Sequence, residues 1–185
     1  MALCFLIFLK PGTVHQGVLL NASPLPEVSL ETVTASGKPI IVLDQVTDPR
    51  NIGAIIRAAT VFGAGGLIMT RHNSPASGGA LAKTASGALE KMPLVRVANL
   101  ARCLESLAEA GYLTCGLDED GTQWLGDIPR DQPIACVMGA EGKGLRRLTK
   151  ENCTQLVRLT ASDASSFATL NVATATAVAL YEIVR

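Results

Sequence analysis

Ile40-Ile41-Val42-Leu43-Asp44-Gln45-Val46-Thr47-Asp48-Pro49-Arg50-Asn51-Ile52-Gly53-Ala54-Ile55-Ile56-Arg57-Ala58-Ala59-Thr60-Val61-Phe62-Gly63-Ala64-Gly65-Gly66-Leu67-Ile68-Met69-Thr70 decides the fold. Residues 40–43 are an uninterrupted branched apolar run, the pattern of a strand covered on both faces. After a polar turn, residues 51–62 read as a helix with Asn51 as its N-cap. The glycine-rich residues 63–66 stop that helix, and residues 67–70 form a second apolar run. Strand, helix and strand in this order make a βαβ unit, which sets its two strands parallel.

The same alternation continues outward from this unit. Residues 79–90 predict a helix and 94–97 a strand. Residues 99–110 predict a helix stopped by Gly111, followed by a strand over 112–117. Beyond a loop come a strand at 134–138, a short helix at 145–152, a strand at 156–159 and a last helix at 170–184. The expected class is α/β, with a mostly parallel sheet flanked by helices. Upstream, Pro11, Gly12, Gly17, Pro24, Pro26, Gly37 and Pro39 punctuate residues 11–39, which read as a linker or irregular leading segment. The apolar start, residues 1–9, is far shorter than the roughly 20 residues that span a bilayer. It reads as a covered strand or as the stump of something removed.

Sixteen basic residues balance sixteen acidic ones over 185 residues, so any footprint for a polyanion must be local. Arg50, Arg71, Lys83, Lys143, Arg146 and Arg147 form such a set at loop edges. Cys4, Cys103, Cys115, Cys136 and Cys153 show no C-x-x-C spacing, and there are only two histidines, His15 and His72. Scattered thiols of this kind read as small buried apolar residues, in a reducing cytoplasm and with no metal site.

Three loops at strand ends hold the chemistry-bearing residues, and ligand sites of open α/β sheets lie at such ends. In the first, Arg57 carries a guanidinium among Ile55, Ile56, Ala58 and Ala59, and should be paired, with Glu141 a candidate, or face a site. The second, Gly139-Ala140-Glu141-Gly142-Lys143-Gly144-Leu145, lacks the P-loop pattern, since Val137 and Gly144 stand where Gly and Ser/Thr are needed. It is either a turn that aims Glu141 somewhere specific or an ordinary strand-to-helix turn. The third, Ser165-Ser166-Phe167-Ala168-Thr169-Leu170-Asn171, has hydroxyls but no neighbouring histidine and no G-x-S-x-G elbow, and Thr169 or Asn171 could simply cap the last helix. Hydrolase and dinucleotide-dependent chemistry thus find little support.

Together the loops resemble the three signature motifs of the SpoU-type RNA 2′-O-ribose methyltransferases, in the SPOUT (α/β-knot) superfamily. Residues 43–57, 137–145 and 170–182 carry the likeness, in the family's order. Lys83-Thr84-Ala85-Ser86-Gly87-Ala88-Leu89-Glu90 resembles a helix of the branch that methylates a guanosine of 23S ribosomal RNA. Pro11-Gly12-Thr13-Val14-His15-Gln16-Gly17-Val18 looks like the segment joining that branch's amino-terminal RNA-binding domain to its catalytic domain. The resemblance implies a catalytic domain over 40–185 and a remnant linker over 1–39. It further implies a deep carboxyl-terminal trefoil knot, a cytoplasmic homodimer, S-adenosylmethionine (SAM) as methyl donor, and an RNA substrate, ribosomal rather than transfer RNA. The family-matched catalytic set is Arg57, Asn51, Glu141, Asn171 and Thr169, with threonine where the family usually has serine. SAM would be held by Met138, Gly139, Ala140, Gly142, Leu159 and Leu170. Transfer RNA as substrate, or a non-enzymatic RNA-binding scaffold of the same fold, are the alternatives.

Overall fold

The computed structural model describes residue 23 and residues 25–71, 79–159 and 170–185. The elements are α1 (Leu30–Thr34), β1 (Ile40–Asp44), α2 (Pro49–Val61), β2 (Gly66–Thr70), α3 (Gly79–Ala85), β3 (Leu94–Val97) and α4 (Leu100–Glu109). They continue with β4 (Leu113–Leu117), β5 (Gln123–Trp124), β6 (Ile134–Gly139), α5 (Arg147–Asn152), β7 (Gln155–Arg158) and α6 (Val172–Val184). The seven strands form one sheet in the order β3-β2-β1-β6-β4-β7-β5, and every pairing is parallel. From β1 the chain steps outward through β2 and β3, and then crosses to the far side of the sheet. The strand order therefore reverses between β1 and β6, the kind of crevice where open α/β sheets bind ligands.

β1, β2 and the first five residues of β6 are buried along their length, as their unbroken apolar runs require. Alternate strand residues feed two cores. Ile41, Leu43, Leu67, Met69, Cys136 and Met138 join Ile52, Ile55 and Ile56 of α2, Leu81 of α3, and Ala179 and Leu180 of α6. Ile40, Val42, Ile68, Ala135 and Val137 join Val33 of α1 and Leu100, Cys103, Leu104 and Leu107 of α4. The four described cysteines are free; Cys103, Cys115 and Cys136 are buried and Cys153 is half-buried, all acting as small apolar residues.

The structure revises several boundaries. α2 starts at Pro49, a residue suited to a first helical turn, and Asp48 is the cap, accepting from the Arg50 N–H at 2.9 Å. Asn51 is therefore not the cap, and its side chain is released for another partner. The helix expected over 79–90 ends at Ala85, because Ser86 (φ 49°) and Gly87 (φ 79°) turn left-handed. The leading segment is not all linker: Ser29 caps α1, and the Tyr112 hydroxyl donates to the Thr34 and Lys38 carbonyls at 3.3 and 3.0 Å. Gly66 makes room for it, since a Cβ there would lie 2.6 Å from Val33 Cγ1. β5 was not foreseen. Residues 1–9, the linker-like sequence at 11–18 and Thr169 lie outside the described residues, as do Cys4, His15 and His72.

Candidate functional site

Three chain segments far apart in sequence meet at the carboxyl end of β1 and β6. Asn51 contributes from the first turn of α2, Glu141 from the turn after β6, and Asn171 from the cap of α6. Asn171 Nδ2–H donates to Asn51 Oδ1 at 3.2 Å and also to Glu141 Oε1. Glu141 Oε1 further accepts from the Val172 N–H at 3.4 Å, while Asn171 Oδ1 accepts from the Ala173 N–H at 2.9 Å. Asn171 thus does both things its type allows, capping α6 with its oxygen and reading two partners with its nitrogen. The alternative of a bare capping role is half of the truth.

The turn that carries Glu141 is tightly specified. Gly144 N–H donates back to the Ala140 carbonyl at 2.8 Å, and Gly142 and Gly144 take left-handed φ values of 73° and 63°. A Cβ on Gly139 would overlap the Gly144 backbone, so only glycine lets the turn fold back on its own start. Beyond the turn, Leu145 is buried as an apolar anchor. The ordinary-turn alternative fails here, because Glu141 is aimed at a partner 30 residues away.

Arg57 is not drawn into this cluster. Six residues of helix rotate a side chain by about 240°, so it leaves α2 on a different face from Asn51. It is exposed and makes no hydrogen bond or ion pair among the described residues, so of the two alternatives the pairing with Glu141 is not formed. Within the basic set, Arg50 pairs with Asp48, Arg71 with Glu27 and Arg147 with Glu151. Lys143, at the tip of the Glu141 turn, is exposed and makes no such contact among the described residues.

Of the expected cofactor set, Met138 is buried in the core and presents at most its backbone to a ligand. Gly139 and Ala140 are half-buried and Gly142 is exposed. Leu159 is half-buried, and Leu170 is 54% exposed beside Asn171, an unusual place for a bare leucine. One residue at this end, Asp44, is not marked out by the sequence, and Arg146 stands there only as one of the basic set. Asp44, completely buried at the end of β1, accepts from the Arg146 backbone N–H at 2.9 Å and from its Nε–H at 2.7 Å. The available signal was a carboxylate closing an otherwise apolar strand, which demands a partner.

An all-parallel α/β sheet with Asn51, Glu141 and Asn171, one from each motif, meeting at its switch point defines the class. Residues 38–181 match the family model described as the SpoU rRNA Methylase family, and the chain belongs to that family. Among its relatives is the 23S rRNA (guanosine-2′-O-)-methyltransferase RlmB of Burkholderia sp, 43% identical over 175 residues, which are 92% of this chain and 70% of that enzyme. Among solved structures, the SpoU methyltransferase AviRb from Streptomyces viridochromogenes, in complex with AdoMet, superposes with a TM-score of 0.74 at 31% identity. That match covers 86% of this chain and 62% of AviRb. The AdoMet-bound rRNA methyltransferase from Sinorhizobium meliloti gives 0.70 at 28% identity, over 80% of this chain and 56% of that one.

Proposed function

We propose that this chain transfers the methyl group of SAM to a ribose 2′-hydroxyl of RNA, with a guanosine of 23S ribosomal RNA as the target. The observation that carries this reading is the convergence of Asn51, Glu141 and Asn171, one from each motif, at the crevice between β1 and β6. The relatives described above act on that nucleoside class or bind that donor, which favours ribosomal over transfer RNA.

The residues present fit the donor. A left-handed glycine turn with exposed backbone at Gly142 suits polar atoms of an amino acid or ribose, and the uncovered Leu170 beside half-buried Leu159 suits a purine face. Met138, Gly139, Ala140, Gly142, Leu159 and Leu170 would hold SAM, which supplies a methyl already electrophilic on sulfonium. The chain's own work is then to place and polarise the 2′-hydroxyl. Arg57, an exposed guanidinium on α2 with no partner among the described residues, supplies fixed positive charge to a developing alkoxide or to the adjacent phosphate. A guanidinium serves here as a charge and not as a base. Asn51, Glu141 and Asn171 form the hydrogen-bonded platform against which the ribose is oriented, with Thr169 as a further hydroxyl.

Two further features complete the reading. The carboxyl-terminal third forms the deep trefoil knot of the superfamily. The chain also works as a homodimer, for α2 and α6 leave Val61, Val178, Tyr181 and Val184 exposed, the first of these 80%. Mapping 2′-O-methylation in ribosomal and transfer RNA from a deletion strain tests the function. Loss of one 23S guanosine mark is expected; loss of a transfer-RNA mark, or of none, overturns the assignment.

A further inference from the structure

The proposed chemistry gives no task to Asp44, a fully buried carboxylate at this end of the sheet. Asp44 stands beside Gly139 in the β1–β6 register, at the point where the Glu141 turn departs. Its Oδ2 also accepts from the Arg146 backbone N–H and its Oδ1 from the Arg146 Nε–H, at the point where the same turn ends. We propose that the Asp44–Arg146 pair is a positioning clamp, which holds the two ends of the 139–146 turn at a fixed separation and thereby sets where Glu141 and the turn's backbone lie. The functional half of this proposal, that the clamp tunes donor binding, rests on the SAM reading given above.

Nothing else described fastens the exit of the turn so directly. Within it the Gly144–Ala140 hydrogen bond is a local closure, and Leu145 is an apolar anchor packed beside Gly116, held by non-directional contact. The Asp44 bonds differ in being charge-assisted, short and doubly directed, which fixes orientation as well as distance. Arg146 is also the residue preceding α5 and has no side-chain cap of its own, so its guanidinium arm is committed to Asp44. Surface ion pairs contribute little to stability. Here the carboxylate is completely buried while the guanidinium is 43% exposed, so the pair cannot be exchanged for water at the Asp44 end.

The test compares Asp44→Ala, Asp44→Asn and Arg146→Ala with the wild-type full-length chain, using SAM calorimetry, steady-state kinetics and hydrogen exchange of the Gly144 amide. Arg102→Ala, on the exposed face of α4, controls for loss of a charge. A clamp predicts that Gly144 exchange rises about tenfold in Asp44→Ala while the Met69 amide in β2 is unmoved, and that SAM affinity falls about tenfold. Arg146→Ala, which keeps the backbone N–H bond, shows the smaller change of the same kind. It also serves as the folded variant if Asp44→Ala does not accumulate. Equal acceleration at Gly144 and Met69, with SAM affinity unchanged, overturns the clamp and leaves a merely structural pair. If the wild type binds no SAM, the functional reading fails by itself, and the Gly144 exchange still decides whether the clamp exists.

Discussion

The two helical layers that cover this sheet are finished differently. On one side α4 buries Leu100, Cys103, Leu104 and Leu107 and turns Arg102, Glu105 and Glu109 to solvent, an ordinary amphipathic helix. On the other, α2 and α6 bury Ile52, Ile55, Ile56, Ala179 and Leu180, yet also expose Val61, Val178, Tyr181 and Val184. Asn51, Arg57 and Asn171 all belong to that second layer. The α4 face is completed by charge, and the α2–α6 side, which leaves these apolar side chains uncovered, carries the candidate site.

The largest expected effect breaks the comparison at its functional end. Arg57→Ala should lower methyl transfer by about 100-fold or more while SAM binding measured by calorimetry stays nearly intact; full activity in that variant would remove Arg57 from the mechanism. Next comes the packing of the same layer. A Cβ on Gly53 would lie 2.6 Å from Thr84 Cβ, so Gly53→Ala should cost about 1–3 kcal/mol in denaturant unfolding. Glu105→Ala, on the exposed side of α4, should stay within about 0.5 kcal/mol. Third, Tyr181→Glu should weaken self-association in sedimentation by about tenfold, and Glu105→Lys should leave it unchanged. Equal effects from the two would dissolve the distinction between the layers.

The smallest effect treats both layers alike. Burial pushes the Cys103 thiol up to about 11, and burial does the same for Cys115 on the other side, also to about 11. In the unfolded chain a thiol ionises near 8.5, so above that pH the unfolded state sheds its proton first. The neutral thiols favour folding fully below about 8.5, and that contribution drains away as pH climbs toward 11. Melting temperature should therefore fall across this alkaline window, and less steeply in Cys103→Ala than in the wild type.

How much of this was legible varies by element. β1, β2 and β6 announce themselves as apolar runs, because a strand buried on both faces has no polar alternative, while β3 and β7 carry Arg96, Gln155 and Arg158 and are largely half-buried. β5 has two residues and no period, and α1 hides a single buried valine among prolines and glycines. The overlong α3 shows that Ser86 in a left-handed conformation cannot be read from composition. Strand order is likewise invisible, being set by crossovers and not by any local pattern. Asn51, Glu141 and Asn171 were named through family likeness, and only the fold brings them within hydrogen-bonding reach. Asp44 and Arg146 are separated by 102 positions, so nothing local could have joined them.

The hydrogen bond between Asn171 and Asn51 links positions 120 apart, and α6 is the last piece of the α2 layer. A ribosome making this chain therefore releases Ile55 and Ile56 long before their cover exists. Until the final helix emerges, the nascent polypeptide displays a greasy half-layer and an unassembled centre, so chaperone capture during synthesis and slow late closure follow from the wiring of the chain.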